Sequence, residues 1–201
     1  MKLEINRNDK LALVIHDVQN DAYAIGGRMP NAGKIPGIEQ YIDGQRRLLI
    51  AARSHALPVF YTGHSLRSDY MDAVRYNNSS KHQAYQDGTW GASVIDELKP
   101  EPGDWIIRKG GGMSAFTGTP FEKWLNRLKI THIIIVGSAT NHGVESTVRD
   151  ARDRDFHSIV VSDACRSSSQ AHHDASLFNM ALFAQIATVD EVIASLEVLR
   201  N

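Results

Sequence analysis

Residues 133–151, "IIIVGSATNHGVESTVRDA", begin as an apolar, β-branched run, break at Gly137 and continue as a polar stretch. That is the pattern of a strand, buried on both faces of a parallel sheet, turning into the helix that covers it. In many α/β hydrolytic enzymes the nucleophile stands in this turn. Here its centre is Gly143, which has no side chain to attack with.

Runs of the same kind lie on either side: "LALVIHD" (11–17), "LPVFYTG" (57–63), "DWIIRK" (104–109), "THIIIVG" (131–137) and "HSIVVSD" (157–163), with a weaker sixth in "FAQIATV" (183–189). Between them, residues 37–56 carry apolar and charged positions at helical spacing, and residues 119–129 open with Pro120, suited to a helix N-terminus. Strands alternating with helices predict a parallel sheet covered on its faces. The stretch 67–89, rich in Asn, Ser, Tyr and His, has no period and is long for a connection, so it reads as a binding loop or lid. No repeat or linker interrupts the chain, and one domain over 1–201 is expected from its 201 residues.

Composition removes several classes of function. The formal net charge of -1 shows no basic excess that could track a phosphate backbone, so no nucleic-acid partner is expected. The opening "MKLEINRNDK" is no secretory apolar core, and no run of about 18 uncharged apolar residues occurs, so no membrane association is expected. Cys165 is the only cysteine, which precludes an internal disulfide and fits a reducing compartment, so a cytoplasmic location is expected.

In an open α/β sheet, ligands bind outside the carboxyl ends of the strands. That rule selects Asp17 and Gln19 after the first run, His64 after the second, Lys109 after the third, the 138–143 turn after the fourth, and Asp163 with Cys165 after the fifth. Asp17 and Lys109 carry opposite charge on strands that can be neighbours.

Taken in order, "LALVIHDVQND" (11–21), "LPVFYT" (57–62), "GTWGASVIDELKPEPGDWIIRK" (88–109), "SAFTGTPFEKWL" (114–125), "IIIVGSATNHGVESTVRDA" (133–151) and "VVSDAC" (160–165) resemble the isochorismatase-like hydrolase superfamily nearly end to end. Its better-known branch is the cysteine hydrolases, among them nicotinamidases, carbamoylsarcosine amidohydrolases and ureidoacrylate hydrolases. The resemblance implies a single-domain, Rossmann-like three-layer α/β/α sandwich with a six-stranded parallel sheet, and a catalytic Asp, Lys and Cys. The family aspartate falls on Asp17 and the lysine on Lys109, while the cysteine position holds Gly143. It also implies a non-proline cis peptide, by position Ser138–Ala139, and a homo-oligomer, dimer or tetramer. "GGGM" after Lys109 and Ala22 after "QND" depart from the commonest family pattern.

Hydrolysing an amide without metal, thiolate or hydroxyl leaves water to attack unaided, whereas enzymes lower barriers by roughly 8 to 23 kcal/mol. True isochorismatases resemble this chain in having glycine at the cysteine position, and they cleave a vinyl ether, for which an acid is the indispensable group. Three readings follow. The first is a cysteine-independent hydrolase of a small polar metabolite, using Asp17 as acid beside Lys109. The second is an amide or ureido C–N hydrolase whose cysteine was exchanged for Gly143. The third is a non-catalytic metabolite-binding homologue. The first is favoured, with Gln19, His64, Trp90, Phe116, Ala139, Thr140 and His142 as substrate-binding candidates; Trp90, Phe116 and Tyr70 serve equally well as core. A small-molecule substrate is the expected partner, with no cofactor. No metal is expected, because "YTGHSLRSDY" does not reproduce the nicotinamidase arrangement of an aspartate and histidines. His172 and His173, on different helix faces, read as structural, Cys165 as a small buried residue, and Gly110–Gly112 as a flexible turn without the Lys-Ser/Thr of a phosphate loop.

Overall fold

The computed structural model describes residues 3–75 and 78–200. Six strands, β1 (Leu11–His16), β2 (Val59–His64), β3 (Trp105–Lys109), β4 (His132–Ser138), β5 (His157–Arg166) and β6 (Gln185–Ala187), form one sheet in the order β3-β2-β1-β4-β5-β6. Every pairing is parallel. The helices are α1 (Asn20–Tyr23), α2 (Ile38–Ser54), α3 (Asn78–His82), α4 (Phe121–Arg127), α5 (Glu145–Arg152), α6 (Gln170–Met180) and α7 (Val189–Arg200). The expected α/β sandwich is present, with helix ends drawn in by one to two residues. Part of the 67–89 stretch is ordered as α3 rather than irregular loop; residues 76 and 77 of it lie outside the described residues.

Two apolar layers follow from side-chain alternation along β1. Leu11, Leu13 and Ile15 face α2 and α7 through Leu48, Leu49, Val192 and Leu196. Ala12 and Val14 face α4 and α5 through Phe121, Leu125, Val148 and Ala151. His16, next in the second series, is fully buried at the end of the strand.

The strand order reverses between β1 and β4, the crevice where an open α/β sheet collects ligands. Their register, His16 opposite Gly137, sets Asp17 beside the turn after β4. Gly137 has φ 124°, and a Cβ there would overlap the His16 carbonyl oxygen, so only glycine permits this approach. A register shift between Ile135 and Gly137 lets β5 run on to Arg166, three residues past its predicted end. None of the helices among the described residues is long and apolar enough to cross a membrane.

Candidate active site

Asp17 follows β1 with φ 54°, a left-handed conformation that Asp tolerates better than most residues, and its N–H donates to the Thr62 carbonyl at 2.8 Å. The backbone thereby turns out of the strand and aims the carboxylate across the strand ends. Lys109, the last residue of β3, reaches it through a side chain with no exposed surface: Nζ donates to Asp17 Oδ2 at 2.8 Å, and to the carbonyls of Met113 at 2.8 Å and Gly112 at 3.1 Å. The segment after Lys109 is thus more than a flexible turn, because the Gly112 and Met113 carbonyls hold the ammonium. Asp17 Oδ1 has no hydrogen-bond partner among the described residues.

Two imidazoles complete the cluster. His64 Nδ1 lies 2.8 Å from the Gly110 carbonyl, which can only accept, so Nδ1 carries the proton and Nε2, 3.5 Å from Asp17 Oδ2, keeps a lone pair. His16 Nδ1 lies 2.7 Å from Thr62 Oγ1, and its Nε2 stands 3.4 Å from Asp17 Oδ2 and 3.5 Å from Lys109 Nζ. Burial holds both imidazoles below their ordinary range, overcoming the pull of Asp17, so both are neutral near pH 7. Burial also acts to raise the Asp17 carboxyl, but the hydrogen bond from His16 and the charge of the Lys109 ammonium outweigh it and hold Asp17 below the usual carboxylate range. Asp17 therefore rests as an anion. The expected proton donor is not there in the resting site; the group present is a base.

Above this floor opens a cleft of about 740 Å³, lined among others by Asp17, His64, Met113, Ser138, Ala139, His142, Gly143 and Arg166. The Ser138–Ala139 peptide is cis, as the resemblance implied. Residues 140–144 form a wide π-helical turn ahead of α5. Of the predicted site residues, Asp17, His64, Ala139, His142 and Gly143 line the cleft and Lys109 lies beneath it.

Four others do not reach it. Gln19 is a buried buttress, its Nε2 donating to the carbonyls of His64 and Ala92 and its Oε1 accepting from His64 N–H. Trp90, 54% exposed, lines a separate hollow of about 470 Å³ with Gln19 and Arg108. Phe116 is core, stacked on Phe156 and tilted against Phe121. Thr140 is fully buried, its hydroxyl bonded to His173 Nδ1 at 2.9 Å, which also accounts for His173 as structural. Cys165 is wholly buried, its thiol pushed up to about 12 by burial.

Two residues of the site escape the strand-end rule as applied to the sequence. His16 sits one position too early, and Arg166 three too late. Arg166 ends β5 opposite Ser138, packs its guanidinium over the Tyr23 ring at 5.4 Å and lines the cleft. Its Nε and Nη1 are buried with no hydrogen-bond partner among the described residues. Such donors want an acceptor, and a carboxylate matches the fork bidentately.

The sequence matches the family model for the isochorismatase domain over residues 11–191. The chain belongs to the isochorismatase family. This isochorismatase-like hydrolase is 31% identical over 189 residues to a ureidoacrylate amidohydrolase RutB of Methylobacterium radiotolerans, covering 85% of this chain and 73% of that protein. Its fold superposes with a TM-score of 0.86 on a cysteine hydrolase from Pseudomonas syringae pv. phaseolicola, at 27% identity over 98% of this chain and 96% of that one. An N-carbamoylsarcosine amidase from Thermoplasma acidophilum gives a TM-score of 0.74 at 26% identity, over 90% and 97% of the two chains.

Proposed function

We propose that the protein hydrolyses a C–N bond, amide or ureido, in a small metabolite that carries a carboxylate, with water in place of a cysteine thiolate as nucleophile. The observation that carries this reading is the Asp17–Lys109 pair at the cleft: the carboxylate is held as an anion with Oδ2 2.8 Å from Lys109 Nζ, while Oδ1, itself buried, has no partner among the described residues. An ionised carboxylate is a base for water, not a donor to an enol ether. The relatives named for amide and ureido hydrolysis support the same bond class.

In this reading a water held at the exposed edge of the Asp17 carboxylate attacks the carbonyl carbon as its proton passes to that carboxylate. The negative charge that develops on the carbonyl oxygen is met by the positive Lys109 ammonium nearby and by backbone N–H groups at the start of the 140–144 turn. Collapse expels the nitrogen, which takes the proton back from Asp17, so water is divided between acid and amine. Arg166 binds the carboxylate of the substrate and fixes which carbonyl lies over Gly143.

A vinyl ether is the second reading, favoured by one fact: Gly143 supplies no nucleophile, and that reaction needs none. One screen separates them. Purified protein and its Asp17→Asn variant are offered ureido- and amido-carboxylates, their uncharged analogues, and vinyl ethers, with release of ammonia, amine or carbonyl product as the readout. Turnover of carboxylated C–N substrates, reduced roughly 10²- to 10⁴-fold in Asp17→Asn, is expected. Vinyl ether cleavage alone, or C–N turnover indifferent to Asp17→Asn, overturns the proposal.

A further inference from the structure

At first sight Gly143 is a loss: a site that elsewhere in the fold family holds a thiol holds nothing. The surroundings say otherwise. A Cβ built on Gly143 would overlap His16 Nε2 outright, stand 2.8 Å from His16 Cδ2 and approach the Met113 carbonyl to 3.2 Å. The space for a side chain at 143 is already filled by an imidazole that enters from β1, beneath the turn. His16 cannot easily yield that space. It is fully buried, its Nδ1 is tied to Thr62 Oγ1 on β2, and β1 is hydrogen-bonded on both sides.

The hydrogen-bonding partners fix what this imidazole does. Nε2 faces two acceptors, the Asp17 carboxylate and the Met113 carbonyl, and one donor, the Lys109 ammonium at 3.5 Å; because the three ammonium protons are directed at Asp17, Gly112 and Met113 oxygens, a proton on Nε2 suits the site. Nδ1 is then the acceptor for the Thr62 hydroxyl. In that tautomer Nε2–H and the Lys109 ammonium both converge on Asp17 Oδ2, leaving Oδ1 as the oxygen without a partner among the described residues.

We propose that His16 and Gly143 form one unit, in which the imidazole takes the volume a side chain at 143 would need and acts as a positioning residue that pins Asp17 Oδ2. The site is thereby built for water rather than emptied of a thiol. His16 is not a catalytic residue, since it has no surface from which to touch substrate. The role given to the Asp17 carboxylate rests on the function proposed above, whereas the shared volume and the tautomer do not, and both can be read without substrate.

The first test is a cycle of four proteins: the parent, Gly143→Cys, His16→Val, and the double variant His16→Val/Gly143→Cys. Thermal unfolding and iodoacetamide labelling located by mass spectrometry are the readouts. Overpacking beside His16 should lower the unfolding midpoint of Gly143→Cys by about 3–10 °C. The same substitution in the His16→Val background should cost little, about 1 °C, and should present a thiol that labels at least tenfold faster than in Gly143→Cys alone. Equal shifts and equal labelling in the two backgrounds overturn the shared volume. The second test is the imidazole ¹⁵N spectrum near pH 7. A His16 ring protonated at Nε2 and bare at Nδ1, with its Nε2 resonance displaced in Asp17→Asn, is expected. The opposite tautomer, or a spectrum blind to Asp17→Asn, overturns the positioning role, since a ring that only filled space would not sense the carboxylate. Should the substrate screen return no C–N hydrolysis, both tests still decide the inference on its own terms.

Discussion

Replacing Arg166 by Met should make the protein more stable and a worse enzyme at once. In the free protein the guanidinium keeps two buried donors, Nε and Nη1, without acceptors among the described residues, and burial lowers its basicity. An unsatisfied buried donor costs about 1–3 kcal/mol. The residue is only partly buried, so the lower end applies to each, about 2 kcal/mol for the two. Loss of the contact with the Tyr23 ring returns about 1 kcal/mol. The difference is about 1 kcal/mol in favour of Met, whose unbranched stem fills similar space, and the unfolding midpoint should rise by about 2–4 °C. With substrate the balance inverts, because a carboxylate satisfies the same donors through charge-assisted bonds worth about 1.5–3 kcal/mol. Removing them should lower kcat/KM for carboxylated substrates roughly 10- to 150-fold and leave uncharged analogues nearly unaffected. Scanning calorimetry and steady-state kinetics on matched charged and neutral substrates measure the two halves. A lower midpoint together with unchanged discrimination between the pairs would refute the assignment of Arg166 to the carboxylate of the substrate.

Two further outcomes follow from the buried titratable groups. His16 and His64 are neutral when folded and take up a proton near pH 6.5 when unfolded, so their contribution is complete above that pH and is lost as pH falls toward their depressed folded values, at about 1.4 kcal/mol per pH unit for each. Asp17 acts in another window, since its stabilisation persists until pH drops below about 4. Urea midpoints should therefore already decline between pH 6.5 and 5.5, and a flat profile there would contradict the neutral histidines. Cys165, fully buried with a thiol pushed up to about 12, should stay unlabelled by iodoacetamide at pH 8 in the folded protein and react at once in urea, and Cys165→Ala should retain turnover. Fast labelling of the native protein would count against both.

Hydrophobic runs were enough to read five of the six strands: β1, β2, β4 and β5 are buried over most of their length, and β3, exposed at Ile106 and Arg108 on the sheet edge, still carries the apolar run Trp105–Ile107. β6 is weak in sequence because it is three residues long at a sheet edge. Asp17, Lys109 and the 138–143 turn were legible from the strand-end rule. That rule says which end of the sheet a residue occupies, not where its side chain points, and so it also admitted Gln19 and Thr140, which face inward to buttress the loops. Trp90 and Phe116 were selected as aromatics near the right segments, and aromatics serve core packing equally well. Arg166 was hidden by the irregularity at Ile135–Gly137, which carries β5 beyond its apolar run. His16 was hidden inside its run, although a lone imidazole following Ala12 and Val14 on one face of a strand is itself a signal that something polar lies beneath the next turn.

The contact between His16 and Gly143 also bears on how such a site can change over generations. Acquiring a thiol at 143 first meets a filled space, and trimming the imidazole first opens a void beneath a working carboxylate. Either order passes through a strained or hollowed intermediate, so glycine at 143, once paired with His16, is held in place by steric history.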